Sequence, residues 1–321
     1  VFVLAAVGSA AGLGNVWRFP YLAYDNGGAA FFVAYIICLI LIGFPILLTE
    51  NAMGQQTQKA APEAMASIDY RATYRFIGLW GALAAVIVMS YYAVVMSWSG
   101  SYLFSAPSLA WADDASGYYY NTILDLSDDV REWGSLAPHL LAGLAVVWLV
   151  IYLSLFRGMQ SIAKVVSWIT PLAFLLLFVL AGNGLFLPNA GEGLRYFFVP
   201  EWGALLDLSL WIAAVSQVFF TLTLGFGVMF AYGALLKKST DLVRAAKYVV
   251  LGDTIVAFIA GVVIFSTIGY MAGQQGVTIE EVVASGPGLV FVVFPEALTL
   301  LPVLPSLFAI AFFVILLSLA L

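Results

Sequence analysis

Apolar stretches long enough to cross a bilayer recur along almost the whole of this chain. A spanning helix needs roughly 20 apolar residues to cover about 30 Å of hydrocarbon. Candidates fall near 1–24, 29–56, 76–105, 137–156, 162–182, 208–235, 243–271 and 303–321. Charged residues make up 9% of the sequence and hydrophobic ones 63%, whereas a soluble domain is about 25% charged. The expected fold class is therefore an all-α polytopic membrane protein. One cysteine, Cys38, excludes an intrachain disulfide and a cysteine-cluster metal site. One histidine, His139, leaves little room for histidine chemistry and reads as a helix-end residue. The first residue is Val1 and the last, Leu321, lies in an apolar run, so the sequence reads as a fragment with its eighth span cut short.

The polar segments orient these spans. Residues 107–136 are rich in Asp, Tyr and Ser and read as a long hydrophilic loop. Residues 272–302, interrupted by Glu280, Glu281 and Glu296, read as a loop carrying two short helices. Lys59, Arg71, Arg75, Arg157, Lys164, Lys237, Lys238, Arg244 and Lys247 fall on one side of the spans. Only Arg131 and Arg195 fall in the opposite loops, among many acids. The positive-inside rule puts the nine in the cytoplasm, with the N-terminus, of a cell (inner or plasma) membrane. The net charge of −6 then reports an acidic outer face, not an acidic partner, and no nucleic-acid partner is expected.

Two spans are built against helical propensity. The first carries GSAAGLGNVWRFP in its middle, and the sixth carries SQVFFTLTLGFG. Glycine costs about 1 kcal/mol in a helix interior and proline about 3. Gly8 and Gly12 alone fit a close-packing face between helices. Two spans broken alike, five helices apart and each beside hydroxyl or amide groups, point instead to a binding site. Unwound backbone at membrane depth is tolerated only where it lines a cavity or is buried in protein, and paired interruptions mark a transporter's site. A half-helix N-terminus suits a carboxylate, while freed carbonyls and hydroxyls suit a hard cation.

GLGNVWRFPY, NGG, GFPILLTENAMGQ, the YY pair of the third span, FFTLTLGFG and GYMA occur in this order. Together they resemble the neurotransmitter:sodium symporter family, and in the pocket its bacterial leucine-transporter-like members. The resemblance covers essentially the whole chain. It implies a leucine-transporter-type inverted-repeat bundle with discontinuous spans one and six. The chain would be a single, incomplete transporter domain, with 1–182 as the first five-helix repeat and 208–321 as part of the second. It also implies two Na⁺ sites, a lipid-embedded setting and a possible homodimer.

By the same resemblance, the first sodium would be held by the Ala10 carbonyl, Asn15, Thr221 and Asp253. The second would use the Gly8, Ala11 and Leu319 carbonyls, with further ligands beyond Leu321. The substrate would meet Ala10, Leu13, Gly14 and Thr221, with the Gly14 N–H and the Tyr92 hydroxyl facing its carboxylate. Read from the residues alone, Tyr92 could equally be a packing aromatic. Amine-transporting members carry an aspartate where this chain has Gly12, which leaves room for an α-amino acid. Val88, Phe220, Thr223 and Phe226 would make an apolar side-chain pocket. Asp253 replaces the family's usual Asn, and Ala257 replaces the Ser of chloride-dependent members. Asp253, near Tyr35, Gln217 and Thr221, is therefore expected to supply the negative charge that chloride supplies elsewhere. Arg18 resembles an outer-gate arginine, Glu50 a structural acid bracing unwound backbone, and Asp25 a loop residue.

The expected activity is sodium-coupled symport of a neutral, hydrophobic amino acid by alternating access, independent of chloride. Without a P-loop, a nucleophile elbow or a metalloprotease motif, no enzyme activity is expected. Two rivals stay open: a substrate-binding sensor or scaffold that moves nothing, and a proton-coupled amino-acid carrier.

Overall fold

The computed structural model describes residues 7, 8, 10, 12–68, 72–127, 131, 136–156, 159–283 and 286–321. Among these the secondary structure is helical, apart from one isolated bridge between Gly28 and Pro200. In chain order, helical residues 7, 8 and 10 precede α1 (Leu13–Val16) and α2 (Arg18–Asp25). Then come α3 (Ala29–Thr57), α4 (Ala61–Ala66), α5 (Ala72–Ser105), α6 (Pro138–Leu155) and α7 (Met159–Leu185). The remainder is α8 (Ala190–Phe198), α9 (Leu208–Thr221), α10 (Val228–Ala234), α11 (Leu242–Gln275), α12 (Ile279–Val282), α13 (Leu289–Thr299) and α14 (Pro305–Ala320).

Five of these helices are long and apolar enough to cross a membrane. Their outer faces expose Phe76, Trp80, Ile87, Trp148, Leu149, Leu175 and Phe178. A band of this kind is stable only against lipid or protein, and the chain is membrane-embedded. At the centre of the bundle runs α11, buried almost continuously from Val256 to Ala272. Glycines bring neighbours onto it and onto one another. A Cβ on Gly193 would lie 1.9 Å from the Phe265 carbonyl of α11, and one on Gly54 would lie 2.1 Å from the Phe230 carbonyl. Side chains cannot enter such crossings, so backbones approach directly.

Both broken spans break where the sequence weakens the helix. Gly12 is extended before α1, and Pro20 falls in the first turn of α2, where its missing N–H costs nothing. In span six the helix stops at Thr221 and resumes at Val228, with Thr223, Gly225 and Gly227 at positive φ between them. Two Phe-Pro pairs produce a subtler distortion. Proline has no N–H to return to the preceding turn, and a π-turn precedes each pair: Leu39–Gly43 before Phe44-Pro45, and Leu289–Val293 before Phe294-Pro295. In each, the phenylalanine N–H bonds the carbonyl five residues back.

Segment 107–136 is less of a loop than its polarity predicts. It holds a short helix, Ala115–Gly117, and a π-turn, Tyr118–Ile123, and buries Trp111, Tyr119 and Ile123. Burying these three anchors the segment in an aromatic cluster whose polar tips carry α13. Tyr102 donates to the Phe291 carbonyl at 2.5 Å, and Trp111 Nε1 to the Pro295 carbonyl at 2.9 Å. Segment 272–302 holds the two short helices expected of it, α12 and α13.

Candidate functional site

The two breaks meet. Thr221, the last helical residue before the second break, places its Oγ1 2.6 Å from Asn15 Oδ1, 2.6 Å from Asp253 Oδ1 and 3.3 Å from the Ala10 carbonyl. Asn15 Nδ2 donates to Asp253 Oδ1 at 2.8 Å, and the Tyr35 hydroxyl donates to Asp253 Oδ2 at 2.9 Å. Asn15, Tyr35, Gln217 and Asp253 are fully buried and Thr221 nearly so. Asp253 therefore faces the broken segments from the middle of α11. One hydroxyl proton on Thr221 can serve only one of its three oxygen neighbours, so the cluster has more acceptor oxygens than protons to share. That donor set, two carbonyl-type oxygens with a hydroxyl and a carboxylate, is the chemistry a hard cation takes.

Beside this cluster lies a cavity of about 370 Å³. Its lining includes Ala10, Gly14, Val88, Tyr92, Phe220, Thr221, Thr223 and Phe226, together with Gly12 and Asn15. Leu13, expected with them, is buried and does not line it. Its N–H donates to the Tyr92 hydroxyl oxygen at 2.9 Å, which leaves the Tyr92 proton free for an acceptor in the cavity. Gly14 lies under the Phe220 ring: a Cβ there would meet Phe220 Cε1 at 2.5 Å.

The charged residues take defined positions. Glu50 is buried, and its Oε1 accepts from the Gly225 N–H at 2.8 Å inside the span-six break, while Oε2 has no partner. Arg18 donates to Gln217 Oε1 at 2.6 Å and Ser216 Oγ at 2.8 Å, and its guanidinium lies 5.2 Å from the Phe220 ring centroid. Gln217 is thus turned toward Arg18 and not toward Asp253, with its Nε2 buried and unpartnered. Asp25 is exposed at the end of α2, and His139 sits in the first turn of α6 against the Ile123 carbonyl.

Gly8 and Leu319 line the same cavity, whereas Ala11, expected beside them, lies outside the described residues. The sequence reading missed Thr170 of α7, which also lines it. Its available signal was a hydroxyl residue directly before the mid-span Pro171.

Two discontinuous spans joined through buried oxygens beside a cavity are the architecture of the leucine-transporter fold, an all-α membrane fold. A sequence profile of the sodium:neurotransmitter symporter family matches residues 1–115 and 108–321, and the chain belongs to that family. An uncharacterised sodium-dependent transporter of Methanocaldococcus jannaschii is 37% identical over 97% of this chain and 63% of its own length. The sodium- and chloride-dependent GABA transporter 2 of Rattus norvegicus is 33% identical over 97% of the chain and 56% of its own. The crystal structure of MhsT in complex with L-phenylalanine superimposes with a TM-score of 0.82 at 34% identity, covering 99% of this chain and 69% of that one. The chain thus spans somewhat over half the length of these curated relatives.

Proposed function

We propose that this chain carries the central binding site of a symporter that couples sodium to uptake of a neutral, apolar α-amino acid without chloride. The observation that carries the reading is the oxygen cluster of Ala10, Asn15, Thr221 and Asp253, placed where the two helix breaks meet and next to the cavity. A sodium ion there would satisfy the oxygens that one hydroxyl proton cannot. The substrate carboxylate would then lie between that ion, the first-turn N–H of Gly14 and the Tyr92 hydroxyl. With no side chain at Gly12, the cavity has space for a carboxylate that the substrate brings itself. Val88, Phe220 and Phe226 favour an apolar side chain. The complex of MhsT with L-phenylalanine supports an amino acid of this kind.

Asp253 would supply a permanent negative charge beside the ion. A carboxylate at mid-membrane costs roughly 2.5–3.5 kcal/mol on insertion scales, which the adjacent cation and the Tyr35 and Asn15 hydrogen bonds offset. Sodium and amino acid would stabilise one arrangement of the breaks over another, and only this difference in affinity can drive alternating access. The inverted repeat, 1–182 against 208–321, would supply the two bodies that rock, with the basic loops on the cytoplasmic side.

Labelled phenylalanine or leucine taken up into proteoliposomes under a sodium gradient, with chloride replaced by gluconate, tests this reading. Uptake that needs sodium and ignores chloride is expected. Preference for glutamate, lysine or a decarboxylated amine overturns the substrate class, and binding without flux favours a sensor. The 2.6 Å contact between Thr221 and Asp253 also fits a proton on Asp253. Uptake driven by a pH gradient alone, without sodium, would establish that second reading.

A further inference from the structure

Basic residues gather at one end of the bundle. Lys237, Lys238, Arg244 and Lys247, a third of the chain's 12 basic residues, fall between the end of α10 and the first two turns of α11. All four are exposed. Two glutamines of α3 and its C-terminus hold the intervening turn, 236–240, in place. Gln55 Nε2 donates to the Lys237 and Thr240 carbonyls at 2.7 and 3.1 Å, and Gln58 Nε2 to the Leu236 carbonyl at 3.0 Å.

These charges are not neutralised by their neighbours. Among the described residues none of the four forms an ion pair, whereas Arg75 is paired with Glu63 at 2.5 Å. The acid that lies among them, Asp241, is engaged by the helix: its Oδ1 caps α11 by accepting the Arg244 backbone N–H at 3.0 Å. The Arg244 guanidinium lies 5.9 Å from the Tyr248 ring centroid. Like charges held on one short segment repel one another, and an anion that reaches all of them removes that cost.

The adjoining surface identifies the anion. Arg244 heads a row on one face of α11 whose other members, Tyr248, Leu251 and Ile255, are exposed. Leu235, just past α10, and Val243 are exposed as well. On a membrane-embedded chain such a stripe meets acyl chains, and a tyrosine at its head marks the headgroup level. The four cations therefore stand where the phosphates of the adjacent leaflet lie. A soluble anion or an acidic protein would make no use of the stripe.

We propose that Lys237, Lys238, Arg244 and Lys247 form a binding surface for the phosphate headgroup of an anionic phospholipid, with its acyl chains along Tyr248, Leu251 and Ile255. Arg244 supplies paired N–H donors to the phosphate oxygens, and the lysines supply charge. The bound lipid would tie the 236–240 turn, and through it the second half of broken span six, to α11. This surface lies outside the cavity and does not depend on the sodium reading.

Purified protein in detergent is melted with increasing dioctanoyl phosphatidylglycerol, dioctanoyl phosphatidylcholine or inorganic phosphate. Phosphatidylglycerol is expected to raise Tm, while the other two have little effect. Each cation beside an anionic surface strengthens attraction about fivefold, so changing all four residues to Gln should raise the half-saturating phosphatidylglycerol concentration about tenfold or more. Changing the three lysines to Arg should leave that concentration within about twofold, as should Lys164→Gln, which removes an exposed cation of α7. If the fourfold variant does not fold, Lys237→Gln with Lys238→Gln carries an expected rise of about fivefold or more. Equal responses to the two lipids overturn the proposal, as does a fourfold variant that titrates like wild type. A response to inorganic phosphate as strong as that to phosphatidylglycerol also overturns it, by replacing the lipid with a soluble anion.

Discussion

Thr221 Oγ1 lies 2.6 Å from Asp253 Oδ1, joining the point where span six unwinds to the middle of the long central helix α11. The contact couples an ion-binding group to a backbone break, so anything held between the two oxygens acts directly on the geometry of residues 222–227. Asn15 repeats the arrangement from span one, since it donates to the same carboxylate oxygen.

Replacing Asp253 by Asn keeps the volume and the Tyr35 contact but removes the charge. Sodium should then bind at least tenfold more weakly, and chloride should restore part of the loss by returning an anion to the neighbourhood of Tyr35 and Gln217. Sodium titrations of substrate binding in chloride and in gluconate check this. Unchanged titrations in both salts would show that Asp253 supplies no charge to the ion.

Glu50 reaches across from α3 to hold the Gly225 N–H. The bond joins a buried carboxyl to a part-buried N–H, and a hydrogen bond to a charged group contributes about 1.5–3 kcal/mol. Glu50→Ala should accordingly lower substrate affinity by about tenfold or more through a slackened break. Glu50→Gln keeps an acceptor oxygen in place, and because Oε2 has no partner to lose, it should remain within a few-fold of wild type. Equilibrium binding of the two variants separates a hydrogen-bond brace from a role for the charge.

Both breaks were legible in the sequence because glycines at 12, 14, 225 and 227 contradict an apolar helix so plainly. The Phe-Pro π-turns were not, since a proline after an apolar run predicts a disturbance without its register. Nor was the packing of segment 107–136, whose aromatics sit among polar residues and find distant partners in α5, α13 and α14. Arg18 shows a different limit. Sequence likened it to a gate residue but could not name its neighbours in space, Gln217, Ser216 and a ring, which lie about 200 positions along the chain. Thr170 stayed hidden because a single hydroxyl in an apolar span looks ordinary until the cavity it lines is seen.

Gly225 isolates what the break costs. Its φ is +81°, and a Cβ there would meet nothing within 4 Å, so Gly225→Ala carries a purely backbone penalty of about 1–2 kcal/mol. Gly182, inside α7, also has open space around it. Gly182→Ala should therefore be neutral or stabilising by up to about 1 kcal/mol. Melting temperatures should fall for the first and hold or rise for the second, with substrate binding lost only in the first. Equal effects in both would mean that the break does not depend on a left-handed residue.

Outside the spanning segments, the Tyr196 hydroxyl of α8 donates to the Glu280 carboxylate of α12. That bond pushes the tyrosine up to about 12, and it holds the glutamate below its ordinary 4.5. A depressed carboxylate contributes stability that is complete above its ordinary value and lost as pH falls through its lowered one. The raised tyrosine keeps its share of the contact through neutral pH, and loses it only as pH climbs through about 12. The link between α8 and α12 should hold across the physiological range and weaken on acidification. Limited proteolysis around residues 276–288, followed from pH 7 down to pH 3.5, should show cleavage accelerating in wild type as the carboxylate protonates. Tyr196→Phe should already be cleaved faster at pH 7, with little further change on acidification. Identical pH profiles for the two proteins would show that the bond does not hold α12.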